Sequence, residues 1–418
     1  MRGERAALPP VILLGGTTNA LAIARSLGPR GITVLALNDA HSHVRYSRFA
    51  RWVEPPLGDD SQDSWLRWLT GAGRERWRGS VVVPCADDGV ELLARHRREL
   101  VDDFILAEQN DEIALAMLDK ARTYELAARV GIAAPGTWEL AGREDLLAVL
   151  DTLPFPCALK PCVSHLWQRY FSARKLFVAE SRESLLRIFD ELASFRLRLL
   201  VTEIIPGADD QFCSYFSYLD ENGQPLLHFT KHKLRQYPIH FGIGSYHVSD
   251  KDPEVAEVGL RFFQRIGLRG MANVEFKRDA RDGGLKLIEC NPRFSAANEL
   301  LTRSGVDFSL FVYNRLTRRP LPPAEDYRSG VRLVRPLEDF ASFRAYRRRG
   351  ELSTLAYLRS LCRRWHTAYF SWRDPWPSVA HGWRTLRHQV AKRILQPLAS
   401  LTRRSADPPA SRGGREGS

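Results

Sequence analysis

The chain has 418 residues, 44% hydrophobic and 26% charged, which excludes wholesale disorder and sets an expectation of about two to four domains. No apolar run approaches the ~20 residues of a membrane-spanning helix, Met1–Pro10 lacks the apolar core of a secretory signal, and six scattered cysteines without a CxxC pair exclude a zinc knuckle or disulfide framework and fit a reducing cytoplasm. The net charge of +12 is confined to the end: residues 331–418 carry 18 Lys+Arg against 6 Asp+Glu, whereas residues 1–330 carry 43 of each.

The first unit reads as alternating strands and helices, the pattern of a parallel sheet. Val11–Leu14 is a buried strand, Gly15–Asn19 a turn, and a helix runs to Leu27 before Gly28, Pro29 and Gly31 break it. Thr33–Leu37 and Val81–Val83 are further strands, the latter ending at Pro84–Asp88 ahead of a helix through Leu100. Ligands reach such sheets at the carboxyl ends of strands, so Gly15–Asn19 and Cys85–Asp88 are candidate cleft walls. The first loop is not GxGxxG, which argues against a dinucleotide. One helix is expected over Asp111–Val130, capped by Asp111 and stopped by Gly131. Strands follow at Ala158–Lys160, Lys175–Val178, Arg198–Ile205, Gln211–Leu219 and Leu226–Lys233, and a helix at Pro253–Ile266. The strands Asn273–Lys277 and Leu285–Cys290 flank the turn Asp282–Gly284. This second half is mixed and antiparallel, unlike the first, with a boundary near residue 112.

Three groups of residues can do chemistry. Along a strand, Glu289, Asn291 and Arg293 share one face, and Glu275 lies on the partner strand. Two carboxylates and an amide oxygen suit Mg²⁺, whose shell phosphate and water complete. Arg293 beside them suits phosphate or carboxylate oxygens. The chain has nine lysines against 52 arginines, so each lysine is informative. Lys120 follows Asp119 in a helix, and Lys160 ends a strand before Pro161; both suit nucleotide phosphates. The third group is Glu203-Ile204-Ile205-Pro206-Gly207. A strand-end carboxylate beside free backbone groups can read an adenine, and Asp210 further on can take ribose hydroxyls. The bland alternatives are a solvated hairpin, surface lysines and an acidic turn.

Together, in order and spacing over residues ~10–320, these motifs resemble the ATP-grasp superfamily, and within it the carboxylate–amine ligase-like group. The pieces are Asp119-Lys120, Gly131–Pro135, Leu159-Lys160-Pro161, Glu203–Gly207, Lys233–Pro238, Gly270–Glu275 and Glu289–Arg293. The resemblance implies an α/β plus α+β architecture. A parallel βαβ domain precedes the ATP-grasp fold at 1–112. A lid subdomain follows at 113–190 and a core subdomain at 191–325, with a basic helical appendage at 326–404 and a disordered tail at 405–418. It implies ATP contacted by Lys120, Lys160, Glu203, Ile204, Ile205, Asp210 and Lys233. It implies two Mg²⁺ on Glu275, Glu289 and Asn291, with Mn²⁺ an acceptable substitute, and Arg293 facing an acyl phosphate. The implied activity joins a carboxylate to an amine, releasing ADP and phosphate. The alternatives are another ATP-grasp activity, carboxylase or phosphotransferase, or a membrane-associated nucleotide-binding protein without turnover. One departure is the segment Val163–Ser172, which contains no glycine where many relatives have a glycine-rich phosphate lid.

Substrate determinants are expected in Lys231–Arg235 and Phe241–Ser245, with Arg235 taking a substrate carboxylate or phosphate and acting with Lys160 and Arg293 in catalysis. His232, His240 and His247 read as surface or core histidines, Cys290 as core, and Asn298 as either a site-closing residue or a helix cap. In the tail, Val379, Trp383, Leu386, Val390, Ile394, Leu398 and Leu401 recur at helical steps with Arg384, Arg387, Lys392 and Arg393 mostly off the stripe. This basic amphipathic helix fits packing on the body, the inner face of an anionic membrane, or an acidic protein partner; nucleic acid lacks an accompanying recognition module. The expected location is the cytoplasm, peripheral to that membrane face. A homodimer is a family-level expectation.

Overall fold

The structure is a computed structural model that describes residues 8–171, 174–322, 326–385 and 387. The first domain contains β1 (Val11–Leu14), α1 (Thr18–Leu27), β2 (Val34–Leu37), β3 (Arg51–Val53), α2 (Ser61–Thr70), α3 (Ala72–Trp77), β4 (Val81–Pro84), α4 (Asp87–Leu100) and β5 (Ile105–Leu106). Its five strands lie parallel in the order β3-β2-β1-β4-β5. Every residue of β1, β2 and β4 is buried, as expected of strands covered on both faces. Trp65, Trp68, Leu92 and Leu93 from α2 and α4 cover one face. On the other, α1 is buried nearly all round, because it is wedged between this sheet and the helices that follow the main hairpin.

The expected helix over 111–130 is two helices, α5 (Asp111–Leu118) and α6 (Lys120–Arg129), and the cap of the first is Asn110 rather than Asp111. Asp119 between them is extended, bridges Val163, and caps α6 by accepting from the amides of Ala121 and Arg122. That break puts Lys120 on the first turn of α6 beside the Val163 segment, and Gly131, at φ +70°, ends the helix as expected.

The lid sheet holds β6 (Thr137–Leu140), β7 (Cys157–Pro161), β8 (Phe177–Ala179) and β9 (Leu199–Glu203), antiparallel in the order β6-β9-β7-β8. Its helices are α7 (Arg143–Val149), α8 (Ser164–Gln168) and α9 (Arg182–Ala193), packed through Leu146, Trp167, Leu185 and Phe189. Strand β9 lies in this sheet although it falls beyond residue 190, and Lys175 precedes β8 instead of opening it.

The core sheet has seven strands, β14-β13-β10-β11-β12-β15-β16, from β10 (Phe212–Leu219), β11 (Pro225–Tyr237), β12 (Ile243–Asp250), β13 (Gly270–Arg278), β14 (Leu285–Asn291), β15 (Arg332–Val334) and β16 (His366–Thr367). Its helices are α10 (Pro253–Arg265), α11 (Asn298–Ser304), α12 (Phe308–Leu316), α13 (Pro336–Arg348) and α14 (Thr354–Leu361). Strand side chains alternate: Cys213, Tyr215, Val274, Phe276 and Cys290 face α10, α5 and α6 in one apolar core, leaving the alternate residues to line the opposite face.

Two expectations are corrected. Strand β12, not anticipated as a strand, pairs with β11 along its length. The region after residue 325 is no separate helical appendage. Its strands β15 and β16 extend the core sheet, because Arg332–Val334 pairs with Tyr246–Val248. Further on, Asp374 is fully buried against the first domain, where Arg25, Ser47 and the Arg48 amide donate to its carboxylate. A helix at 376–385 follows. The expected stripe from Leu386 to Leu401 and the tail at 405–418 lie outside the described residues, apart from Arg387.

Candidate active site between lid and core sheet

The floor of the site is the uncovered face of β14, β13, β10 and β11. Glu289 and Glu275 are directly opposed across the hairpin, followed across the same row by Ser214 and Lys231. Like charges facing each other across two strands are destabilising unless cations intervene. Here Lys233 Nζ lies 2.9 Å from Glu275 Oε1. Burial raises the Glu275 carboxyl, but Lys233 and Lys231 outweigh it and hold the group below its usual range. A register shift next to Glu275 leaves Ile288 unpaired, which lets Glu289 face Glu275 while Leu287 returns to the core opposite Phe276. Asn291 opposes Asn273, whose buried Oδ1 has no partner. Cys290 points the other way into the apolar core, as expected, and burial pushes its thiol well above the ordinary range.

Over this floor hang the lysines. The Lys160 ammonium donates to Tyr124 Oη at 2.8 Å, and Tyr124 donates in turn to the Ile288 carbonyl of β14 at 2.9 Å. Burial, then the neighbouring Lys120, lowers Lys160 from its ordinary value to about 7. Lys120 donates to Ser164 on α8. Lys175 reaches the Gly242 carbonyl at 3.3 Å, and burial lowers it as well. Arg293 donates from Nε to Asp87 Oδ1 at 2.5 Å, which fastens the end of the hairpin to the first helix turn after β4. Asp87 thus belongs to one of the loops anticipated as cleft walls. Asp87, Lys120, Tyr124, Ser164, Glu289 and Asn291 surround a space of about 10 Å³, room for about one water. The lid is tied down over this end of the site. Lifting it means breaking the Lys175 contact, the contact of His165 Nε2 with Glu91 at 2.9 Å and the ion pair of Arg169 with Asp60 at 2.8 Å.

At the other end, Glu203 finishes β9. One oxygen accepts from the Gly136 amide at 3.1 Å and the other pairs with Arg281 at 2.6 Å. Lys277 donates to the Ile205 carbonyl at 2.8 Å. The Ile204–Ile205 segment therefore lies beside the core sheet. Asp210 is exposed and contacts only the Gln211 side chain, whereas its neighbour Asp209 is buried and accepts from the His240 amide and the Tyr346 hydroxyl.

Arg235 does not behave as expected. Its guanidinium grips both oxygens of the buried Asp339 at 2.8 Å each, donates to Ser360 at 3.0 Å, and lies over the rings of Tyr246 and Tyr357. A guanidinium so occupied is spent on holding α13 and α14 to β11, and the expectation of a substrate contact is corrected. Four residues upstream, the buried Lys231 has among the described residues only Ser214 Oγ at 3.1 Å and the His247 ring at 3.5 Å. Burial pushes it down to about 8. Lys175, Tyr124 and Asn273 were not singled out from the sequence as site residues, the scarcity of lysine being the available signal for the first; Lys231 falls in the stretch expected to hold substrate determinants and Asp87 in an expected cleft wall. Asn298 neither caps a helix nor reaches the floor: it opens α11 and donates to Ser309. His232 pairs with Asp250 and Asp252, and His240 with Asp209 and Glu351, structural places as expected.

A clamp of two antiparallel sheets behind a parallel domain, with lysines above paired carboxylates, is the arrangement expected from the resemblance to the ATP-grasp superfamily, and the chain is similar to proteins of its carboxylate–amine ligase-like group. Its sequence is 29% identical over 320 residues to a curated D-aspartate ligase of Enterococcus faecium, covering 72% of this chain and 75% of that one. Among solved structures, the biotin carboxylase domain of the Hydrogenobacter thermophilus 2-oxoglutarate carboxylase, in complex with MgADP, ADP and bicarbonate, superposes with a TM-score of 0.61 at 17% identity, over 78% of this chain and 73% of that one. The L-amino acid ligase of Bacillus licheniformis superposes with a TM-score of 0.57 at 15% identity, over 74% and 75%. No family profile matches the chain.

Proposed function

We propose that this protein is an ATP-dependent ligase that activates a carboxylate and joins it to an amine, releasing ADP and phosphate. The observation that carries the reading is the floor: two opposed carboxylates and Asn291, roofed by Lys160 and Lys120 and closed at one end by Arg293. This donor set fits Mg²⁺. The ion would compensate two facing carboxylates, and since no cluster of three His, Cys, Asp or Glu among the described residues can hold a metal alone, phosphate oxygens would complete its shell. In our reading Glu275, Glu289 and Asn291 hold two such ions, for which Mn²⁺ can substitute.

Bound MgATP supplies the phosphoryl group that converts an unreactive carboxylate into a mixed anhydride. The chain's own residues position and neutralise. Lys160 and Lys120 lie where phosphate oxygens need cations, with Lys233 beside Glu275. Glu203, with the Ile204–Ile205 backbone, takes the base, and Asp210 the ribose. Arg293, fixed by Asp87, faces the reacting carboxylate and steadies charge as the amine adds. The lid excludes water, which would otherwise consume the activated acid.

The relative's name makes D-aspartate the first carboxylate to assay. Purified protein incubated with MgATP and pairs of acids and amines should release ADP only when both partners are present. ADP release without an amine, or transfer to bicarbonate, would replace this reading with a phosphotransferase or carboxylase. Small-molecule substrates suit the enclosed cleft. We read the protein as cytoplasmic and dimeric.

A further inference from the structure

Of the eighteen large hydrophobic side chains left exposed among the described residues, ten lie between Leu337 and Trp383. That concentration in one short stretch is not the scattered exposure normal for a surface. It is sharpest at the end. Trp376, Val379 and Trp383 stand at helical steps of three and four on the 376–385 helix and are 64%, 55% and 61% exposed, and Trp372 just before it is 87% exposed. The helix is nevertheless held to the body by its other side. The His381 ring stacks on Tyr369 with centroids 4.2 Å apart, His381 Nδ1 lies 2.9 Å from His43 Nε2, and Ser378 donates to the Tyr369 carbonyl. The aromatic stripe is therefore presented outward by a docked helix.

We propose that this outward face, Trp372, Trp376, Val379 and Trp383, docks on an anionic lipid surface. The choice of occupant rests on charge. The exposed neighbours Arg373, Arg384 and Arg387 are all cationic, and the segment from residue 331 carries the molecule's whole net charge of +12 above a neutral body. Indole rings suit the boundary between headgroups and acyl chains, and arginines beside them gain from negative headgroups. No described helix is long and apolar enough to cross a membrane, so the contact is one of lying on the surface. The proposal is independent of the ligase reading, whose assay needs no membrane.

The test uses the full chain, with vesicles of phosphatidylcholine alone or with one third phosphatidylglycerol. Flotation should carry the wild type with the anionic vesicles and not the neutral ones. Trp376→Ala/Trp383→Ala should weaken that binding at least about tenfold. Arg373→Ala/Arg384→Ala/Arg387→Ala should weaken it comparably and flatten its dependence on salt. Unchanged melting temperatures would show both variants folded. Brominated acyl chains should quench tryptophan emission in the wild type more than in the double variant. Absence of binding to anionic vesicles overturns the proposal, as does binding that the double variant retains. Self-association lost in the double variant, with no vesicle binding by the wild type, would assign the stripe to a protein contact instead.

Discussion

With MgATP seated against Lys160 as proposed, this residue ties nucleotide affinity to proton concentration, and the sign is fixed by its surroundings. Its ammonium is held at about 7, first by burial and then by Lys120. A triphosphate placed against it favours the ammonium, so binding takes up a proton wherever free Lys160 is neutral. Free Lys160 falls from about half protonated at pH 7 to about one part in a hundred at pH 9, so the Kd for MgATP weakens by up to about fifty-fold over that interval. Stability of the free protein runs oppositely. The folded pKa lies below the unfolded one, the unfolded chain binds more protons between about pH 7 and 10, and this residue's contribution to stability rises across that window. The assay is calorimetric titration with a non-hydrolysable ATP analogue above pH 7.5, where phosphate ionisation is complete, in two buffers of different ionisation enthalpy. The apparent enthalpies should differ by most of one proton's worth. Lys160→Arg, which cannot lose its proton, should flatten the slope. Equal enthalpies in both buffers, or an unchanged slope in Lys160→Arg, would refute the reasoning.

Asp339→Ala leaves the Arg235 guanidinium buried without its carboxylate and should cost about 3–5 kcal/mol in chemical denaturation, while Arg235→Met/Asp339→Leu should recover most of that loss. Glu289→Gln should abolish Mg²⁺-dependent ADP release with the melting temperature unchanged; residual turnover above a hundredth of wild type would remove Glu289 from the metal set. Gly270 begins β13 at φ +75°, and a Cβ there would lie 1.8 Å from the Glu108 carbonyl, so Gly270→Ala should destabilise by more than ~1 kcal/mol in denaturant titration. Lys231→Met should leave the analogue's Kd within about twofold of wild type below pH 7 and raise the KM of an acidic substrate at least tenfold, the loss of one charge-assisted bond; a larger effect on nucleotide would place Lys231 on phosphate.

The parallel first domain was legible because strands buried on both faces are continuous apolar runs, as Val11–Leu14 and Val81–Val83 are. The carboxylate hairpin was legible because period-two alternation sets Glu289 and Asn291 on one face. Less visible was what long-range pairing decides. Nothing local in Arg235 distinguishes a ligand contact from a grip on an aspartate 104 residues later. Strand β12 starts with Ile243-Gly244, whose glycine reads as a loop, yet here it makes room for the His247 ring. The break at Asp119 is equally tertiary: helical periodicity passes through it, and only its bridge to Val163 opens the backbone. Short β15 and β16 carry too little pattern to be seen without the edge they join.

Asp374 sets a timetable for synthesis. Its carboxylate, buried against Arg25, Ser47 and Arg48, belongs to the first domain's interior but is about 350 residues younger on the ribosome than Arg25. At translation rates of about 5–20 residues per second, Arg25 waits roughly 20–70 s for its partner. Until the last tenth of the protein emerges, a nascent chain therefore holds Arg25 without the carboxylate and carbonyls that it meets here. A stop codon before residue 374 leaves Arg25, Ser47 and the Arg48 amide without that partner for good.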